Sequence, residues 1–159
     1  MSEDMYTWSG PRVRIDRGGQ PMHHICLNCT DPIAIERWYT KHFDFERKRV
    51  YLPGPDQVVV IGNGGVALEL FPAQGDAPPP RGENDGPTFP GVRHLAFLVD
   101  DLDAKLAEMG DDAKVTLGPL DMGDFIAGMR VAWITDPEGN VVELNQGYED
   151  EKTPPPLSR

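Results

Sequence analysis

The chain contains two matching stretches, HICLNCTD at residues 24–31 and HLAFLVDD at residues 94–101. Each stretch begins with a histidine, continues as an apolar run of strand length, and reaches an aspartate seven positions after the histidine. An aspartate placed directly after a strand is a typical N-cap for a helix. The repeat therefore predicts one strand–helix unit that occurs twice in the chain.

Helices are predicted at residues 32–43, with Thr30 or Asp31 as the N-cap, and at residues 102–109, with Asp101 as the N-cap. Both segments place apolar residues on one helical face. Strand-like segments follow each helix, at 47–52, 57–62 and 66–71 in the first half and at 115–117, 129–135 and 141–145 in the second. The pattern predicts two β-α-β-β-β modules in tandem.

Composition divides the chain into five segments. Residues 73–90 are rich in Pro, Gly and charged side chains and are predicted to form a linker between the modules. Polar terminal segments are predicted to form flexible arms, and the first of them has no apolar run of the kind found in signal peptides. The predicted organisation is an N-terminal arm at 1–20, modules at 21–72 and 91–147, the linker at 73–90, and a C-terminal tail at 148–159.

Four polar side chains occupy matching positions in the two modules. His24 and His94 begin the first strands, while Glu69 (in ALELF, 67–71) and Glu143 (in VVELN, 141–145) lie within the last strands. Because strand side chains alternate between two faces, the face opposite each of these residues is apolar apart from Cys29. The alternation predicts a sheet with helices outside and four convergent polar residues inside.

Two imidazoles and two carboxylates are a suitable ligand set for a divalent ion such as Zn, Ni, Co, Fe or Mn. Each residue taken alone has a plainer interpretation, as a strand-end histidine or an exposed edge glutamate. A glutamate in the middle of an apolar strand needs a partner, however, and all four residues occur in register. We therefore interpret His24, Glu69, His94 and Glu143 as metal ligands.

Two neighbouring features of the first strand have weaker functional interpretations. His23 adjoins His24, so strand alternation predicts that it points to the opposite face as a surface or packing residue. Cys26 and Cys29 form a CxxC motif, but a strand sends these two thiols to opposite faces, which argues against a redox or zinc motif. Cys26 remains a candidate lining residue of the cavity.

Two glycine-containing segments allow a functional interpretation beside a purely structural one. Residues 62–65 (GNGG) lack the Lys-Ser/Thr and the following helix of a phosphate loop, so a hairpin turn is predicted there. Residues 118–129 (GPLDMGDFIAGM) suit either a strand connection or a mobile substrate lid, and the sequence leaves both interpretations open.

The charge balance excludes some partners. Lys and Arg number 15 and Asp and Glu number 26, so the formal net charge of the 159 residues is -11. A nucleic-acid backbone or an anionic membrane surface would require basic patches, so neither is an expected partner. No run of 18 apolar residues is present, and the expected location is the cytoplasm.

Three segments carry a family resemblance: HHICLNCTDPIAIERWYTKHFDF at 23–45, RHLAFLVDDLDA at 93–104 and TDPEGNVVEL at 135–144. They resemble the vicinal oxygen chelate superfamily, which includes glyoxalase I, methylmalonyl-CoA epimerase, fosfomycin-resistance transferases, extradiol dioxygenases and bleomycin-binding proteins. The resemblance covers residues 22–147, with Asp44 where the family usually has Gly. It implies an α+β fold in which two βαβββ modules form a curved, mostly antiparallel eight-stranded sheet around a metal site.

The resemblance also implies a chemistry. Metal ligands in the superfamily come from the first and last strands of each module, positions that match His24, Glu69, His94 and Glu143. Four filled positions resemble the glyoxalase I and epimerase branch, in which a metal-stabilised enediolate forms and a carboxylate moves the proton. Glu143 and Glu69 are then the candidate catalytic residues, with Glu143 favoured as the base.

The implied activity is that of a metal-dependent lyase or isomerase acting on a small 2-oxo or 2-hydroxycarbonyl compound or its thiol adduct. The resemblance implies a homodimer, with the site formed either within one chain or across two. Two alternatives stay open. One is a non-heme iron dioxygenase, and the other is a metal-free protein of the same fold that binds a small molecule and confers resistance.

Overall fold

A computed structural model of the protein describes residues 22–75, 83–87 and 90–157. The predicted N-terminal arm at 1–20 and residues 76–82 and 88–89 of the predicted linker lie outside the described residues. In the part of the chain that is described, no helix is long and apolar enough to cross a membrane.

The two predicted modules are both present as β-α-β-β-β units. The first contains β1 (His24–Cys29), α1 (Pro32–Phe43), β2 (Glu46–Tyr51), β3 (Val58–Asn63) and β4 (Val66–Pro72). The second contains β5 (Leu95–Leu98), α2 (Leu102–Met109), a short 3₁₀ turn (Gly110–Asp112), β6 (Lys114–Asp121), β7 (Arg130–Thr135) and β8 (Val141–Gln146). Both helices begin and end where the sequence predicts, and β6 is longer than predicted.

The eight strands are divided between two four-stranded sheets. The strand orders are β1-β4-β3-β2 and β5-β8-β7-β6, so the modules have the same topology. Within each sheet the first and last strands of the module pair in parallel and the other two pairings are antiparallel. The α+β class and the mostly antiparallel pairing are confirmed, but the modules pack through their helix-covered faces, so their strands do not join into one continuous sheet.

Local signals explain where the helices begin and end. The Asp31 carboxylate accepts hydrogen bonds from two backbone N–H groups in the first turn of α1, and the Asp101 carboxylate accepts one, from the Ala104 N–H, in the first turn of α2. Asp44 ends α1 in the left-handed conformation, with φ of 53°. Aspartate is one of the few residues other than glycine that tolerate this conformation, which explains how Asp44 replaces the family's usual Gly.

The two glycine-containing segments form connections between strands. Gly64, with φ of 61°, lies in the tight turn between β3 and β4, so the predicted hairpin turn is confirmed. Between β6 and β7, the Met122 N–H donates to the Met129 carbonyl at 2.9 Å and the Met129 N–H donates to the Ile126 carbonyl at 3.0 Å. These bonds close the segment as a strand connection, with Phe125 exposed at its tip.

A single apolar core joins the two modules. Phe43 of α1 stacks on Phe97 of β5 with ring centroids 4.1 Å apart, and the fully buried Tyr39 also approaches Phe97. The same cluster contains the apolar face of each sheet: Ile25, Leu27, Val59, Ile61, Leu68 and Leu70 from the first, and Leu95, Ala132, Ile134, Val142 and Leu144 from the second. The modules are therefore packed back to back, with α1 between them.

Polar contacts fix this packing at its edges. The Glu138 carboxylate, in the turn between β7 and β8, accepts from the Thr30 hydroxyl and the Asp31 N–H, both at 3.0 Å. At the other end of α1, Asp112 binds Lys41 at 2.6 Å and the buried His42 at 2.9 Å. Both ends of α1 are thereby held against the second module.

Tyr39→Phe should test the packing between the modules. The Tyr39 hydroxyl donates to buried Asp136 at 3.1 Å, and burial raises the pKa of both groups. Removing the hydroxyl leaves the buried Asp136 with one donor fewer, so we expect the free energy of unfolding in urea to fall by about 1–3 kcal/mol. Tyr51→Phe, at an exposed position, is the control and should change it by less than about 0.5 kcal/mol. Equal effects of the two substitutions would contradict this packing.

Candidate metal centre

The first histidine–glutamate pair lies on neighbouring parallel strands. His24 begins β1 and Glu69 lies within β4, and the register of these strands places Ala67 beside His24 and Cys26 beside Glu69. The His24 Nε2 is 3.2 Å from the Glu69 Oε2, and the Glu69 side chain is 19% exposed. The strand pairing thus brings together two predicted ligands from opposite ends of the first module.

The second pair repeats this geometry. His94 directly precedes β5, Glu143 lies within β8, and Ala96 stands beside Glu143 in the parallel register. The His94 Nε2 is 3.0 Å from the Glu143 Oε2, and the Glu143 side chain is 12% exposed. Each module therefore carries the same pair of a histidine nitrogen and a carboxylate oxygen at nearly the same separation.

The two pairs do not meet within one chain. Within residues 22–75, 83–87 and 90–157, no three or more His, Cys, Asp or Glu side chains are close enough to bind one metal ion together. Both pairs lie on the sheet face opposite the shared core, because strand alternation separates them from buried Leu68, Leu70, Val142 and Leu144. The four predicted ligands thus form two outward-facing half-sites.

The spacing within each pair fits a metal ion. Two ligand atoms that each lie about 2.1 Å from one ion, at an angle of about 90°, are about 3.0 Å apart. The separations of 3.2 Å in the first pair and 3.0 Å in the second agree with this spacing. Each half-site supplies only two ligands, so a site with four protein ligands requires both.

Hydrogen bonds orient both members of the second pair. The Nδ1 of His94 is 2.6 Å from the backbone carbonyl of Asp85. Because a carbonyl only accepts, Nδ1 carries the proton and Nε2 is the ring nitrogen directed at Glu143. The Asn145 amide donates from Nδ2 to the Glu143 Oε1 at 2.8 Å, which leaves Oε2 directed at His94.

Sequence reasoning did not assign a role to these orienting groups. A signal existed for Asn145, since it lies two residues after Glu143 and so shares its face of the strand. None existed for the Asp85 carbonyl, because any residue type supplies the same backbone atom.

The first pair has different surroundings. The His24 Nδ1 is 2.8 Å from the Nδ1 of His23, and the two rings are arranged edge to face. The prediction that His23 points to the opposite face was wrong, because β1 begins at His24 and strand alternation does not extend to His23.

Glu69 has no amide neighbour of the kind that Asn145 provides for Glu143, because Phe71 occupies the position that corresponds to Asn145. In the described part of the chain, His24 is the one hydrogen-bonding group in contact with the Glu69 carboxylate.

The second pair lies beside an apolar wall that includes two polar groups without a hydrogen-bond partner in the described residues. Trp133 lies beside Glu143 in the register of β7 and β8, and its ring is 6.3 Å from that of His94. It packs with Val131 and Val141. The Trp133 indole N–H and the Asn145 Oδ1 are both buried without a hydrogen-bond partner in the described residues. Buried polar atoms are nearly always paired, so these two are candidate contacts for a ligand or bound water.

A separate cleft of about 450 Å³ has none of the four predicted ligands in its lining. It is open to solvent between the end of α1, β5 and α2, and Phe43, Phe97 and Lys105 are among its lining residues. Neither histidine–glutamate pair contacts it, so volume alone does not identify the candidate site.

The comparisons with known proteins identify the family. Residues 22–144 match the model of the Glyoxalase/Bleomycin resistance protein/Dioxygenase superfamily. Because this match spans most of the chain, the protein belongs to that superfamily. The family's name covers both enzymes and binding proteins, so membership alone does not define an activity.

The chain is similar to an uncharacterized protein, YaeR, of Escherichia coli K12, with 29% identity over 130 residues, which are 80% of this chain and 96% of that protein. Its fold is similar to that of a glyoxalase/dioxygenase from Nostoc punctiforme, with a TM-score of 0.64, 24% identity, and coverage of 89% of this chain and 100% of that one.

Two further solved structures show the range of functions that this fold supports. A glyoxalase I variant from Zea mays matches with a TM-score of 0.57 and 20% identity over 78% of this chain and 46% of that one. TnmS3, an antibiotic-binding protein from a Streptomyces species, matches with a TM-score of 0.54 and 22% identity over 79% of this chain and 93% of that one. At these identities the likeness extends to the fold alone.

The two thiols should differ in reactivity. Cys26 is exposed on the face that carries Glu69, whereas Cys29 is buried in the core, and burial raises the pKa of Cys29 to about 12. Iodoacetamide at pH 8 should therefore label Cys26 in the native protein and leave Cys29 unmodified until urea is added, as peptide mass spectrometry would reveal. Cys26→Ser should abolish labelling of the native protein. Labelling of Cys29 at the rate of Cys26, or a disulfide between them, would contradict this assignment.

Proposed function

We propose that the protein is a metal-dependent lyase or isomerase that transfers a proton next to a carbonyl group, with each active site assembled from two copies of the chain. The observation that carries the proposal is the pair of half-sites, His24–Glu69 and His94–Glu143, which have matching geometry and face away from their shared core.

A two-fold homodimer would complete both half-sites at once. In such a dimer the first pair of one protomer faces the second pair of its partner, and the symmetry axis generates a second identical site. Apolar side chains on the half-site faces support this arrangement. Leu98 is 73% exposed on the face of Ala96, and Phe71 is exposed on the face of Glu69. A partner that covered these residues would remove apolar surface from water.

His24 and Glu69 of one protomer and His94 and Glu143 of its partner would hold the ion. When bound there, such an ion would supply Lewis acidity, which would polarise a substrate carbonyl and acidify the neighbouring C–H group. The histidine nitrogens and carboxylate oxygens are the ligand types that Zn, Ni, Co, Fe and Mn accept, so the donor set leaves the identity of the metal open.

The side chains around the ion supply the remaining chemistry. Glu143 and Glu69 are the carboxylates positioned to remove the proton and return it. The wall formed by Val131, Trp133 and Val141 excludes water on one side of the site. The Trp133 N–H and Asn145 Oδ1, which have no partner in the described residues, can donate to and accept from a polar group of a ligand or a bound water.

The antibiotic-binding relative of similar fold suggests a second candidate function, the capture of a small molecule without catalysis. The complete set of two histidines and two glutamates favours the metal-dependent enzyme, because simple capture does not require paired metal ligands. Equal ligand binding by metal-free and metal-loaded protein would favour capture, and metal-dependent consumption of O₂ would favour a dioxygenase.

Replacement of either carboxylate by its amide should abolish turnover. For Glu69→Gln and Glu143→Gln we expect kcat to fall by about 10²–10⁴ with methylglyoxal and its thiol adducts as trial substrates, because each change removes a carboxylate needed to bind the metal or to accept the proton. Circular dichroism should show an unchanged fold. The control is Glu108→Gln, on the exposed surface of α2. Full activity in both glutamine variants would contradict the proposal.

Mixing two inactive variants should restore metal sites if each site spans two chains. In the first variant His24 and Glu69 are replaced by alanine, and in the second His94 and Glu143 are replaced. A mixed dimer then has one site that lacks all four ligands and one site that keeps all four. We expect neither variant alone to bind Co²⁺ tightly, and the refolded mixture to bind one ion per mixed dimer, measured by calorimetry. No recovery of binding would contradict a shared site.

A further inference from the structure

The two half-sites differ in how firmly their carboxylates are held. The Glu143 carboxylate has two polar contacts, His94 on Oε2 and the Asn145 amide on Oε1. In the described residues the Glu69 carboxylate has one, His24 on Oε2 at 3.2 Å. The difference follows from one position of the repeat, since the residue two places after the glutamate is Asn145 in the second module and Phe71 in the first. A phenyl ring has no N–H group with which to hold a carboxylate.

The orientation of the Asn145 amide is determined by its surroundings. Its Nδ2 must face the Glu143 Oε1, because the alternative orientation would place two oxygen atoms 2.8 Å apart. Asn145 is also buried and lies on the same strand as Glu143, so its side chain has little freedom to turn away. Glu143 is therefore held in place by a group that is itself immobile.

The histidines show the same contrast. His94 is held through its Nδ1 by the carbonyl of Asp85, which lies in a turn closed by a bond from the Gly86 N–H to the Glu83 carbonyl at 3.0 Å. The guanidinium of Arg93 binds the Asp85 carboxylate through two nitrogens, at 2.9 and 3.2 Å, and fixes this turn on the second module. His24 is instead paired with the exposed side chain of His23.

We propose that Asn145 and the turn around Asp85 are positioning groups that fix Glu143 and His94 before metal binds, and that Glu69 is the mobile carboxylate that carries the proton. This assignment of roles to the two carboxylates rests on the proposed function, and it reverses the expectation that Glu143 is the base. A carboxylate that keeps its hydrogen bonds stays where it is, whereas one with a single contact can turn toward a substrate at low cost.

The proton transfer requires no reactant other than the substrate and Glu69. The C–H bond next to the substrate carbonyl breaks, its proton passes to a Glu69 oxygen, and its electron pair moves toward the carbonyl oxygen. Glu69 then returns the same proton to the former carbonyl carbon of a 2-hydroxycarbonyl substrate, while the hydroxyl proton passes to the former carbonyl oxygen, so that the hydroxyl and carbonyl groups exchange places. Glu143 remains ionised and bonded to Asn145 throughout the reaction.

The first test exchanges the residue that distinguishes the half-sites. Asn145→Leu removes the amide that holds Glu143, and we expect the affinity for Co²⁺, measured by calorimetry, to fall by about 10–100-fold. Phe71→Asn supplies an amide at the matching position beside Glu69. At protein concentrations at which size-exclusion chromatography shows this variant to be dimeric, we expect it to bind Co²⁺ at least as tightly as the unmodified protein and to show a kcat lower by about 10-fold, because Glu69 is then held as Glu143 is.

The second test replaces Arg93, whose exposed side chain can be changed without disturbing the core. Arg93→Gln releases the Asp85 turn, and we expect weaker Co²⁺ binding together with faster solvent exchange of the His94 Nδ1–H proton in ¹⁵N NMR spectra of metal-free protein. The matched control is Arg130→Gln, which breaks a similar two-nitrogen ion pair with Asp103. This control should leave both the Co²⁺ affinity and the exchange rate unchanged.

In these experiments the positioning role and the proposed function can fail independently of each other. Unchanged Co²⁺ affinity in both Asn145→Leu and Arg93→Gln would overturn the positioning role, whether or not a substrate is turned over. Unchanged kcat in Phe71→Asn, with full turnover in Glu69→Gln, would overturn the role of Glu69. If the unmodified protein turns over no substrate, the proposed function fails, while the affinity and exchange measurements still decide the positioning role.

Discussion

The apolar contact between the modules is the interaction on which the rest of the structure depends. Phe43 and Tyr39 of α1 pack against Phe97 of β5, and the helix-covered faces of both sheets share one core. Since each strand has two faces, burial of one face leaves the other outward. The shared core is thus the physical reason that His24–Glu69 and His94–Glu143 lie apart, and the reason that the proposed four-ligand site would need a second chain.

Much of the fold could be predicted from the sequence because its signals are local. The aspartate caps, the helix periodicity and the strand alternation each act within a few residues, and they predicted both helices and the faces of His24, Glu69, His94 and Glu143. The packing of the modules could not be predicted in this way. Two sheets with one apolar face each can join edge to edge or pack back to back, and the same hydrophobic pattern suits both arrangements.

The groups that surround the candidate site could not be predicted from the sequence either. The turn that orients His94 acts through the backbone carbonyl of Asp85, within a segment whose Pro and Gly content indicates a linker. The contact between His23 and His24 depends on where β1 begins, a boundary that is uncertain by a residue or two in any sequence-based prediction. The two modules carry the same His–Glu pair, and the neighbours Asn145 and Phe71 account for the different behaviour that we infer for the two carboxylates.

We propose that each metal site combines the His24–Glu69 pair of one chain with the His94–Glu143 pair of a second chain. The most direct measurement is an anomalous-difference X-ray map of crystals of the Zn²⁺-loaded protein, because it locates each ion and its ligands together. We expect one ion between His24 and Glu69 of one protomer and His94 and Glu143 of its partner, and two such ions per dimer. An ion bound by ligands from a single chain, or separate ions at the two pairs, would contradict it.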